Sequence, residues 1–160
     1  MPQQAIARAS RKINAPTEVV WNALVNPEAI ERYMFGTHVD SDWHEGHPIT
    51  WRGEWKGRHY EDKGVILAVQ PLRRLEFSHF SPLSGLPDVP ANYHHVAIEL
   101  VADGPYTVVT LTQDGNRTEE ARARSEQNWN TMLDALKELL ELSYAAYPAG
   151  IPSYFITSKR

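Results

Sequence analysis

Residues 125–140 read SEQNWNTMLDALKELL, and this stretch decides how the rest of the chain must be arranged. Trp129, Met132, Leu133, Leu136 and Leu140 recur at i, i+3, i+4, i+7 and i+11, the spacing that aligns side chains along one side of an α-helix. Glu126, Asn130, Lys137, Glu138 and Glu141 fall largely off that stripe. The pattern predicts one long helix from about Thr118 to Tyr147, stopped by Pro148 and Gly150. A stripe of that length must be buried against another layer of structure.

The sequence upstream supplies the layer. From Thr37 to Gly115 the period changes to two, in the runs HVDSDW (38–43), PITWRGEW (48–55), YEDKGVILAV (60–69), RLEFSHF (74–80), NYHHVAIELV (92–101) and YTVVTLTQD (106–114). GHP (46–48), WKG (55–57), QPLR (70–73) and ADGP (102–105) punctuate them as turns. ARASRKINA (7–15) reads as a further strand closed by Pro16. Between it and the rest lie two short helices: one N-capped by Thr17, with Val20, Trp21 and Leu24 on one face, and one opened by Pro27 and closed by Gly36. The expectation is an α+β chain in which a seven-stranded, curved, antiparallel sheet receives the long C-terminal helix on its concave side. The two small helices are too short to cover it.

A chain of 160 residues with 42% hydrophobic and 22% charged residues fits one globular domain, expected over 1–160, with 148–160 as a C-terminal tail. Ile151, Tyr154, Phe155 and Ile156 predict that the tail packs, with a homodimer as one place for it. A net charge of −4 gives no electrostatic reason to seek nucleic acid or anionic lipid. Without cysteine there are no disulfides, thiolate metal sites or thiol nucleophiles. No window reaches the ~18 apolar residues of a membrane span, so a cytoplasmic location is expected.

The order strand, two short helices, six strands and long helix is that of the helix-grip fold. With INAPTEVVWNALVNPEAIERY, EGHPITWRGEWKGRHYEDKGVILAVQP, SHFSPLSGLPDVPANYH, LTQDGN and SEQNWNTMLDALKELL, the chain resembles the START-related SRPBCC superfamily. The branch it is most similar to is the C-terminal domain of the heat-shock chaperone ATPase activator. That resemblance implies a cavity between sheet and long helix holding an apolar or amphipathic small molecule. It does not imply one chemistry, because superfamily members range from lipid carriers to polyketide cyclases and chaperone activators.

Three apolar rows end in polar residues that would face the concave side: Leu75 and Phe77 lead to His79, Leu100, Ile98 and Val96 to His94, and Val109 and Leu111 to Gln113. They are expected either to line one polar end of a cavity or to satisfy each other within a filled core. Trp51 and Trp55 share a face of PITWRGEW, and Tyr60, Phe77, Trp129 and Met132 are candidates to join them as cavity wall or plain core. SPLSGLPDVPANYHH (81–95) reads as a lid or as a rigid proline-braced link. Asp62 or Asp88 beside a histidine would supply general acid/base chemistry, though no spacing selects a pair.

His44, Glu45 and His47 stand next to the zinc signature H-E-x-x-H but one residue short of it. Gly46 and Pro48 argue against helix there, and in an extended turn the two imidazoles are expected to diverge. No metal and no tightly held organic cofactor is expected. The leading functional expectation is binding of a small hydrophobic or amphipathic ligand, as a carrier or a sensor in a stress response. The alternatives are a cofactor-free cyclase- or hydrolase-type enzyme using an inward histidine, and a chaperone-interacting module.

Overall fold

The computed structural model describes residues 5–146. In chain order it contains β1 (Ala5–Ile13), α1 (Thr17–Leu24), α2 (Pro27–Tyr33), β2 (His38–Asp40), β3 (Pro48–Trp55), β4 (Arg58–Gln70), β5 (Arg74–His79), β6 (His94–Asp103), β7 (Tyr106–Asn116) and α3 (Glu119–Ala146). The seven strands form one antiparallel sheet in the order β1-β7-β6-β5-β4-β3-β2. This is the expected helix-grip order. The expected tail, 148–160, lies outside the described residues. No helix among the described residues is long and apolar enough to cross a membrane.

Turn chemistry sets the hairpins. Lys56 and Gly57 both take positive φ between β3 and β4, as a two-residue reverse turn of matching twist requires. Gly104 at φ 61° with Pro105 closes the β6–β7 hairpin across Asp103 and Tyr106. Between β4 and β5 the strands approach so closely that a Cβ on Gly64 would stand 1.7 Å from the Ser78 carbonyl oxygen.

Two local expectations are corrected. The strand foreseen over 38–43 stops at Asp40, because Ser41 Oγ and Asp42 Oδ1 accept the N–H groups of Trp43 (2.9 Å) and His44 (3.0 Å) and fold the chain into a turn. Helix α1 begins at Thr17 itself, with Pro16 as the flanking residue and no side-chain cap. The second helix is capped as its sequence allows, Asn26 accepting from the N–H groups of Glu28 and Ala29.

Helix α3 buries Met132, Leu133, Leu136 and Leu140 as its spacing demands, and packs chiefly on β1, with β7 and α2 adjoining. β1 is an edge strand, so every second backbone group would face water unpaired. α3 covers that edge with side chains. Glu126 accepts the Arg8 N–H (3.1 Å), Glu141 accepts the Asn14 N–H (2.8 Å), and Lys137 donates to the Lys12 carbonyl (2.8 Å). The Arg11 guanidinium meets Asp134 at 2.6 Å, which holds that carboxyl below its usual range. The polar face flanking the stripe is therefore what aligns the helix along β1. One helix seated there leaves the other side of the concave face to α1, which adjoins β6 and β7, and to α2, which adjoins β2 and α3.

Candidate functional site

Between those two coverings lies a cavity of about 420 Å³, within the usual range of small-molecule sites. Its floor is Ile49 and Trp51 of β3, Asp62 of β4, and Leu75, Phe77 and His79 of β5. Ile30 and Tyr33 of α2, with Met34 just beyond its end, form one side, and Trp129 and Met132 of α3 the other. Four of the five tryptophans line it, since Trp43 and Trp55 join Trp51 and Trp129.

The wall is pinned by hydrogen bonds. Tyr33 is fully buried and its hydroxyl donates to the Ala23 carbonyl (2.9 Å), while burial pushes the phenol pKa up. Thr37 Oγ1 donates to the Met34 carbonyl (2.7 Å) and so accepts from the Tyr60 hydroxyl (2.7 Å). The Tyr60 ring lies over Gly53 on the facing strand, where a Cβ would be 2.6 Å from its hydroxyl. Glycine at 53 is what lets this aromatic lie flat across the sheet. Trp51 packs on Phe77 and His79, each with ring centroids 5.1 Å apart.

The polar group at the floor is a pair. His79 Nε2 stands 2.9 Å from Asp62 Oδ2, and the carboxylate's other oxygen, Oδ1, is buried with no hydrogen-bond partner among the described residues. Asp62 sits opposite Trp51 in the β3–β4 register, so the acid faces the aromatic wall.

The structure brings the expected residues into two compartments. Trp51 and Phe77 face the first; Trp55, Tyr60, His79, Trp129 and Met132 line both it and a second space of about 580 Å³; His94 and Gln113 reach only the second. Trp55 is at the rim, 59% exposed, with the Lys56 ammonium 4.5 Å above its ring. The trio of polar row ends is thereby divided. His94 Nδ1 donates to the Asp114 carbonyl (2.9 Å), and Gln113 accepts from the Trp129 indole N–H, while His79 turns to Asp62. The His79 and His94 rings remain stacked at 6.3 Å.

The loop 81–93 contributes Ser81 and Leu83 to the cavity wall. It is braced by Asp88, which pairs with Lys63 (2.5 Å) and accepts from the Tyr93 hydroxyl (2.7 Å), and by Asn92, which donates to the Pro87 carbonyl (2.8 Å). Sequence reasoning passed over Tyr33, Met34 and Trp43, because no periodicity within α2 or the 41–47 turn says which strand they will face. Asp62 had a signal: it falls in the inward row Tyr60, Asp62, Gly64, Ile66, where an acid has no bland reason to be. The 44–47 turn also corrects an expectation. His44 and His47 converge, with ring centroids 5.5 Å apart, because Trp43 and Gly46 at positive φ fold the turn back on itself.

Residues 14–141 match the protein family described as activator of Hsp90 ATPase homolog 1-like protein. The solution structure of ChR145 from Cytophaga hutchinsonii is 55% identical, over 91% of this chain and 99% of that one, with a TM-score of 0.80. CV1439 from Chromobacterium violaceum shares the fold at 21% identity (88% of this chain, 99% of that one, TM-score 0.74). So does the Aha1 dimer from Colwellia psychrerythraea, at 16% identity (86% and 97%, TM-score 0.68). Among curated proteins none matches.

Proposed function

The chain belongs to the activator of Hsp90 ATPase homolog 1-like family, and from that premise we propose that it binds a small amphipathic ligand in the cavity between sheet and long helix. The observation that carries the reading is a largely apolar cavity with the His79–Asp62 pair on its floor. A hydroxyl or amine on the ligand would hydrogen-bond to that pair, a contact worth about 0.5–1.5 kcal/mol. The ligand's apolar body would lie against Trp51, Phe77, Trp129 and Met132, each Å² removed from water adding roughly 25 cal/mol. Its role is that of a carrier or sensor, with the cytoplasm as the proposed location.

A thermal-shift screen of lipids and metabolites tests this reading. The expected result is a set of amphipathic hits whose stabilisation is lost in Asp62→Ala and Trp129→Ala. A broad screen with no stabilising compound would overturn it.

The His79–Asp62 pair also favours a second reading, acid/base catalysis on the bound molecule, since the two stand within hydrogen-bond reach in a solvent-connected cavity. The discriminator is the fate of a hit compound. A carrier returns it unchanged after prolonged incubation, and an enzyme converts it at a rate that Asp62→Asn abolishes. The chaperone-interacting role rests on the family alone, as does a homodimer like that of the Colwellia protein, and the cavity carries the stronger reading.

A further inference from the structure

The exposed side chains of the 41–47 turn take no part in the reading just given, and they assemble a set of metal-binding donors. Asp42, His44 and His47 each offer one ligand atom, and these atoms all lie within 4.8 Å of one another. His47 Nδ1 is 2.6 Å from Asp42 Oδ2 and His44 Nδ1 is 3.5 Å from Asp42 Oδ1, so one carboxylate stands between two imidazoles.

The backbone beneath is held from several directions. Asp42 Oδ1 accepts the His44 N–H (3.0 Å), and His47 N–H reaches the His44 carbonyl (3.0 Å). Gly46 and His47 pair with Ile66 through two further backbone bonds (2.8 and 2.9 Å), and Glu45 accepts the Val69 N–H (3.0 Å). The turn is thus fixed to β4 while the three donor side chains stay exposed and free to adjust.

We propose that Asp42, His44 and His47 form a three-donor site for a late first-row divalent cation of the zinc type, with water completing its coordination. Two imidazoles and one carboxylate select such ions over magnesium or calcium, which take oxygen donors. The cation takes the place of the hydrogen bond between His47 Nδ1 and Asp42 Oδ2. Asp42 and His44 flank Trp43, whose indole stands on the cavity wall, so coordination clamps the chain on both sides of that residue.

The test is titration of the full chain with zinc sulfate in a non-coordinating buffer, followed by calorimetry and by histidine side-chain NMR. Expected are saturation at one ion per chain, shifts confined to the His44 and His47 rings, and a rise in melting temperature. Asp42→Asn, His44→Ala and His47→Ala should each weaken binding by about tenfold or more, with His59→Gln binding as the unaltered chain does. All four positions are exposed, so folding is checked by an unchanged melting temperature without metal. Absence of saturable binding, or undiminished affinity in the His44→Ala/His47→Ala double variant, would overturn the proposal.

Discussion

His79 Nε2 and Asp62 Oδ2 meet at 2.9 Å on the floor of a largely apolar cavity, one from β5 and the other from β4. Because Asp62 Oδ1 is already unpartnered, His79 is the carboxylate's remaining side-chain donor among the described residues. His79→Ala is therefore expected to cost more than about 1 kcal/mol, by leaving a charged group without compensation. In the double variant His79→Ala/Asp62→Asn much of that loss should be recovered. Urea denaturation of the four proteins measures the coupling; additivity within about 0.5 kcal/mol would show that the contact contributes nothing.

The edge of β1 gives a second prediction. Glu126→Ala and Glu141→Ala each remove an acceptor from a backbone N–H that β7 cannot reach, at about 1 kcal/mol apiece. Hydrogen exchange should accelerate at the Arg8 and Asn14 amides, and stay slow at Ala9, which lies in the β1–β7 ladder. Uniform acceleration along β1 would mean that the helix contributes packing alone.

Gly64 is the position where a single methyl group meets fixed backbone. An alanine Cβ there would stand 1.7 Å from the Ser78 carbonyl oxygen, so Gly64→Ala must push β4 and β5 apart. A loss above about 3 kcal/mol is expected, at the upper end for overpacking. A cost under about 1 kcal/mol in thermal unfolding would show that the strands part freely there.

Acid sensitivity should trace to Glu76 on the outer face. The Arg74 hydrogen bond holds its carboxyl below the usual range, burial opposes this, and His95 at 2.8 Å adds to the lowering. A lowered folded pKa means that the pair's stabilisation is complete above the ordinary carboxylate pKa of 4.5 and is lost as pH falls from there through the folded value. Glu76→Gln should lower stability at neutral pH by under about 1 kcal/mol, as for a partly exposed pair. It should also flatten the decline below pH 4.5, read from urea midpoints across pH; parallel profiles for the two proteins would exclude this source.

The stripe from Trp129 to Leu140, the period-two runs and the glycine turns determined by themselves that this chain is a seven-stranded sheet gripped by a long helix. Those are repeats along the chain, and a face that must be buried leaves its period in the sequence whatever lies opposite. The inward direction of His79, His94 and Gln113 was legible for the same reason. What each of them meets was not. His79 finding Asp62, Gln113 finding Trp129, and His44 turning back toward His47 depend on strand register, on where α3 comes to rest along β1, and on two positive-φ residues in one turn. These are contacts between segments far apart in the chain or around a local reversal, and no period records them. The tertiary structure alone decided that one helix, fixed along the β1 edge by Glu126, Lys137 and Glu141, leaves the floor of β3 to β5 open as a cavity.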